Sequence, residues 1–353
     1  MTTGTGYTGS PFGTTGTAGV AVFNSGATYT HNAGNNPFGL AAPNARVVFN
    51  TGSTVVYRTS SGFSADGRTY GNLTLQNNIS VSSSGANSFQ FQTLNIESGS
   101  SFTHTGSSAS SIIVKGDILV AGTGNLMLNS GTGGVQVNGG ITQTVGGGGT
   151  GTVTFGGNAT VASGTTLQVN RALTSSGGGI TVNGTFQINQ GGNATGGNTF
   201  IYGAGAALVF NNSSGSFGVN SSSTFWPAVN SPTNVSVLGA GGITMNSGAT
   251  RTVSGTLRIA GPVTNANLLT ASGTLQFDAT GSVTGVPTVH RYLDPPLYDR
   301  PRRWGRSGGR AALSVRACPF NVTITAGAGT VTMPNSDRAL GGALTITSGT
   351  LAM

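Results

Sequence analysis

Apolar residues in this chain come in short alternating bursts, each followed by a turn rich in Gly, Ser and Asn. Triplets such as Leu73-Thr74-Leu75, Leu94-Asn95-Ile96, Val135-Gln136-Val137 and Val153-Thr154-Phe155 have the two-residue period of a half-buried strand. The series runs on through Ile180-Thr181-Val182, Leu208-Val209-Phe210 and Leu257-Arg258-Ile259 to Leu275-Gln276-Phe277. Its steps are about 22 residues long, individually 18 to 28, the repeat length of stacked solenoids. The pattern predicts an all-β fold, a right-handed parallel β-helix (β-solenoid) with 18–28 residues per coil. Roughly 16 coils at ~4.8 Å each would make a rod about 75 Å long.

Turn residues support the same reading. Ser98-Gly99, Asn138-Gly139, Ser163-Gly164, Asn183-Gly184 and Ser272-Gly273 fall between strands, where Gly and Asn reach the left-handed conformations of sharp corners. No segment joins a helical apolar period to helix-forming residues, so no helix of consequence is expected. Residues 1–45, rich in Gly-Thr-Gly, read as an irregular cap or loose first coils. Residues 46–289 read as the solenoid, 290–319 as an irregular Arg/Pro-rich segment, and 320–353 as further solenoid strands.

Composition sharpens this picture. Charged residues make up 6% of the 353 positions and Gly supplies 61, against roughly 25% charged and 7% Gly in ordinary domains. Collagen is excluded by the lack of a strict Gly-X-Y period. Stacked coils explain the scarcity of charge, because identical faces would set like charges directly over one another. A lone Cys318 rules out an intrachain disulfide.

The net charge of +8 is concentrated. Seven Arg and two Asp lie between His290 and Arg316, a local +5 that leaves +3 for the rest. Three readings of this stretch stand side by side: an out-of-frame artefact, a surface loop, or a polyanion-binding patch built on Arg300, Arg302 and Arg303. Specific nucleic-acid binding is not expected.

Candidate chemistry is sparse. A polysaccharide-degrading β-helix needs converging carboxylates. Here Asp66, Glu97, Asp117 and Asp278 stand tens of residues apart in the body. Lys115-Gly116-Asp117 reads as a turn with a solvated charge pair. His31, His104 and His290 share no metal-ligand spacing, and His104 reads as an outward strand residue. No catalytic residue, cofactor or metal is expected. Aromatic residues that could stack on sugars are led by Phe225-Trp226 before Pro227, with Tyr57, Tyr70 and Tyr202 elsewhere. The commoner role of a Phe-Trp-Pro corner in a solenoid is packing.

The phrases FNSGATYTHNAGN, RTYGNLTLQNN, ASGTTLQVNRALTSSGGGITVNGTFQIN, TVSGTLRIAG and ASGTLQFDATGSVTGVPTVHRYL resemble those of large repeat-rich surface proteins of Bacteroidota. These are similar in style to autotransporter passenger domains and filamentous-haemagglutinin-like adhesins. The resemblance covers about residues 20–293 and 320–351 and implies secretion. It implies a non-catalytic structural stalk or adhesin segment at a bacterial cell surface, with shallow glycan binding. A polysaccharide lyase or glycosidase is the enzymatic alternative. Met1 is followed by neither a basic start nor a hydrophobic core, and no run approaches membrane-span length, so the chain reads as part of a larger polypeptide with no signal peptide in view.

Overall fold

The computed structural model describes residues 1–285, apart from 108, 198 and 279, and the strand backbones of 288–289, 321–332 and 344–352. It is a parallel β-solenoid of about 12 turns, fewer than the sequence suggests. Several turns carry long corners: Ile118 pairs with Val145 in the next coil, and Leu208 with Val235. Helix is limited to the single 3-10 turn Ala266–Leu268 among the described residues.

A regular coil has three sides. The chain runs from Leu94–Ile96 on a long face, through Ser101–Gly106 on a second, to Ile112–Val114 on a third. It then returns to the long face at Ile118–Val120, hydrogen-bonded in parallel to Leu94–Ile96. The long face holds fourteen strands, from Thr28–His31 to Leu344–Ala352. Within it Thr274–Asp278 pairs directly with Asn321–Thr332, so the face continues on the far side of residues 290–320. The second and third faces each hold a six-stranded sheet, followed after a break by a separate sheet of four strands on the second and three on the third.

Alternation places every second side chain inside. Leu94 and Ile96 are fully buried while Asn95 is half-buried, and most strands repeat that pattern. Parallel register stacks the inward residues into columns, such as Phe91, Val114, Val137, Val161, Val182 and Tyr202. Each fully buried Val, Leu, Ile or Phe contributes roughly 1.5–3 kcal/mol against the entropy of ordering the coil. Outward hydroxyls and amides meet between coils, as Ser80 Oγ with Ser101 Oγ at 2.6 Å and Asn189 Nδ2 donating to Asn170 Oδ1 at 2.8 Å.

Glycines at the corners do two different jobs. Gly164 has φ +75°, a left-handed turn. Gly184 and Gly273 do not; a Cβ there would overlap the carbonyl oxygen of Thr165 or Gly255 on the preceding coil. These two are set by close backbone approach between coils.

The interior is less uniformly aliphatic than the triplets suggest. Tyr57, Tyr70 and Tyr202 are all buried, so they offer no platform to a sugar. Tyr29, Phe38, Phe49, Tyr70 and Phe89 form a chain of ring contacts through the first coils. His104 also faces inward, with 0% exposure, contrary to its reading as an outward residue. Its position follows from the alternation Phe102-Thr103-His104, which puts it on the buried side with Phe102.

Candidate binding cleft

The second face breaks at one turn. Asn193–Thr195 ends its six-stranded sheet, and Phe217–Val219 begins a separate four-stranded one. On the long face the flanking strands Thr185–Asn189 and Ala207–Asn211 of the same two coils pair normally. The two coils are therefore joined on one side and parted on another. Between them lies a cleft of about 460 Å³, bordered by Asn193, Thr195, Phe217, Gly218, Asn220 and Ser222, with Ala194 and residues 223–225 deeper in.

The same coil is also irregular on its third face. After Val219 the chain forms no third-face strand in this coil; the stretch 220–233 crosses that side instead. Trp226 is fully buried and Phe225 is 3% exposed, so both rings fill the interior on the side where other coils place a strand. Trp226 Nε1 donates to Ser231 Oγ at 3.2 Å. Tyr202 pins the stretch from the preceding coil: its hydroxyl donates to the Phe225 carbonyl at 2.6 Å, and its N–H to the Asn230 carbonyl at 3.0 Å. From the following coil, Arg251 Nε donates to the Trp226 carbonyl at 2.6 Å and Nη2 to the Asn220 carbonyl at 2.8 Å. Burial holds the Tyr202 hydroxyl's pKa well above, and the Arg251 guanidinium's below, their ordinary values.

Both banks of the cleft are strand edges. In regular coils the inward residues of this face turn their peptide groups toward the next coil. Leu126 N–H donates forward to the Thr152 carbonyl at 2.9 Å, and the Leu128 carbonyl accepts from Gly156 N–H at 2.8 Å. Ala194 continues the column Leu126, Val153, Leu173, so its peptide groups point into the cleft. Its N–H is held by the side chain of its own neighbour, Asn193 Oδ1, at 2.8 Å. On the opposite bank Phe217 N–H donates onward to the Gly242 carbonyl at 3.0 Å, and the Val219 carbonyl accepts from Asn246 N–H at 2.9 Å. Peptide orientation alternates along a strand, so Gly218 turns its N–H and carbonyl back toward Ala194. Gly218 meets no hydrogen-bonding partner among the described residues. None of the bordering side chains is charged; they are amides, hydroxyls and the half-buried Phe217 ring.

The residues singled out from sequence fall differently. Phe225 borders the cleft and Trp226 lies behind it, and neither presents an open ring face. Arg300, Arg302 and Arg303, like the whole of 291–320, lie outside the described residues. Lys115 and Asp117 do not pair: Lys115 Nζ reaches the Asn138 carbonyl at 3.3 Å, while Asp117 Oδ1 accepts from Thr144 N–H at 2.7 Å. Asp66 accepts from Asn87, Glu97 from Gln76, and Asp278 from Arg258 and Gln276. Among the described residues no three His, Cys, Asp or Glu side chains gather as metal ligands, and no helix is long and apolar enough to cross a membrane. Asn193, Thr195 and Gly218 drew no attention in the sequence. The available signal was the stretch after Leu208, where Phe225-Trp226-Pro227 stands in place of an aliphatic triplet.

Fold and cleft together define a class: a parallel β-solenoid with a cleft at an interrupted turn. No protein family, curated protein or solved structure matches this chain.

Proposed function

We propose that this chain is a non-catalytic structural stalk or adhesin segment, exposed outside a bacterial cell and presenting shallow hydrogen-bonding faces to glycans or neighbouring surface molecules. The observation that carries the reading is the fourteen-stranded parallel ladder, which ties successive coils into one stiff element. The acids of the body support it. Each of Asp66, Glu97, Asp117 and Asp278 bonds to a residue of an adjacent coil, and they do not converge on a groove.

Two measurements test the proposal. Small-angle scattering of the purified chain should report a rod-like component about 58 Å long from about 12 turns at ~4.8 Å per turn. Beads coated with the chain should bind glycan-bearing cells, and periodate treatment of those cells should reduce the binding. Release of reducing ends or unsaturated uronides from a polysaccharide panel, abolished by Asp66→Asn or Asp117→Asn, would overturn the reading in favour of an enzyme.

A further inference from the structure

We propose that the cleft between Asn193–Thr195 and Phe217–Val219 is a strand-addition site for an extended, uncharged peptide of apolar–hydroxyl–apolar sequence. The inference stands apart from the stalk reading, since it rests only on the broken ladder.

The argument starts from unmet peptide groups. Ala194 presents a carbonyl and a side-chain-capped N–H from one bank, and Gly218 presents an N–H and a carbonyl from the other. A strand lying between them would restore hydrogen bonds on both of its sides, as every other strand of this face has in the body of the sheet. Asn193 Oδ1 already occupies the position that an incoming peptide carbonyl would take on the Ala194 N–H.

Side-chain preference follows from the columns that meet at the gap. The inward column is Leu173 then Ala194 on one bank and Phe217 then Ile243 on the other, which asks for an apolar residue between. The outward column is Thr174 then Thr195, facing Gly218 then Thr244, which asks for a hydroxyl. Thr174 and Thr195 hydroxyls already meet at 3.2 Å, the contact that an incoming Thr would extend. The uncharged border leaves a Lys, Arg, Asp or Glu of the guest without a countercharge. Thr195, Gly218, Asn220 and Ser222 are exposed, so the cleft opens to solvent along its outer side. A bound sugar, by contrast, would use the Asn193 and hydroxyl side chains and would leave the ladder groups unmet.

The test uses the full chain and a fluorescent peptide amide with the sequence of residues 179–183, Gly-Ile-Thr-Val-Asn, which carries the required alternation. Anisotropy titration should show saturable binding, weakened at least tenfold when the peptide is N-methylated at alternate residues. Gly218→Pro, which deletes the ladder N–H, should weaken binding by a similar factor with an unchanged circular dichroism spectrum; should that variant misfold, the N-methylated peptide carries the test. Asn193→Ala removes the occluding amide and should leave binding unchanged or tighter. Three results would overturn the proposal: no peptide binding, binding indifferent to N-methylation, or binding of maltohexaose or cellohexaose that is lost in Asn193→Ala.

Discussion

Replacing His104 by Leu is predicted to stabilise the solenoid and to remove part of its sensitivity to acid. The imidazole is fully buried, with its ring centroid 5.3 Å from that of Phe89 and 6.3 Å from that of Phe102. Neither ring nitrogen has a hydrogen-bond partner. An unmet buried polar group costs about 1–3 kcal/mol, and here two are unmet on one side chain. In the next coils the register partners are Leu128 and then Phe155, so a leucine extends an apolar run in this column. Against about 2–6 kcal/mol for the two groups, a repacking penalty of up to about 1.5 kcal/mol leaves a net gain of about 0.5 kcal/mol or more.

The pH dependence has a definite sign. Burial pushes the His104 pKa below the ordinary 6.5, and the Asp66 carboxylate only partly offsets it. The folded ring therefore stays neutral where the unfolded one takes up a proton. Stability contributed by the neutral ring is present above pH 6.5 and falls as the pH drops below it, by up to about 1.4 kcal/mol per pH unit. His31 behaves alike, its pKa lowered by burial against the opposing Ser61 and Gly34 carbonyls. Between pH 6.5 and 5 the native chain should lose stability through both rings, and His104→Leu through His31 alone. Hydrogen exchange at Leu128 and Phe89 reads the effect locally, which matters because solenoid turns can open in sections. A variant no more protected than the native chain at pH 8, or one with the same slope between pH 6.5 and 5, would refute the reasoning.

Other substitutions separate the forces at work. Gly184→Ala, although its φ is ordinary, should cost about 2 kcal/mol or more, because the added methyl meets the backbone carbonyl of Thr165; chemical denaturation would show it, and a loss below about 0.5 kcal/mol, the size of an ordinary surface change, would argue against close approach. Arg251→Ala strands the carbonyls of Trp226, Asn220 and Ser221 and should cost roughly 2–4 kcal/mol, with early proteolytic cutting in 220–233; Arg251→Lys, lacking the planar fork, should not restore protection. Asp278→Asn breaks the 2.5 Å contact with Arg258, but that guanidinium is 44% exposed, so the unfolding free energy should fall by less than about 1 kcal/mol in chemical denaturation, and by less still in high salt.

The solenoid was legible because its two signals are local: a two-residue alternation and a recurring corner. Leu94-Asn95-Ile96 carries its own burial pattern wherever it sits. The cleft was not, because Phe217-Gly218-Val219 alternates much as its neighbours do. Whether such a strand finds a partner depends on the coil below it, which its own three residues do not report. The corner glycines divide for the same reason. Gly164 obeys a local backbone demand, while Gly184 answers to a carbonyl 19 positions earlier in the chain, at Thr165. His104 shows that phase outranks residue type: Phe102 two positions before it fixes which side the imidazole faces.

Phase also decides what the charges do. Arg68, Arg171 and Arg251 are nearly fully buried, and none forms an ion pair among the described residues. Arg68 bonds the carbonyls of Asn44 and Leu40, Arg171 those of Val120 and Gly151, and Arg251 those around Trp226. A guanidinium offers five donors and no acceptor, which suits corners where a carbonyl finds no N–H on the coil above. Burial lowers the pKa of all three below the ordinary arginine value, the direction set by charge removed from water. Their positive charge is thus spent inside, on stitching corners together. The +8 of the sequence consequently does not translate into a basic surface along the described coils, and a polyanion would have to be held by arginines other than these three.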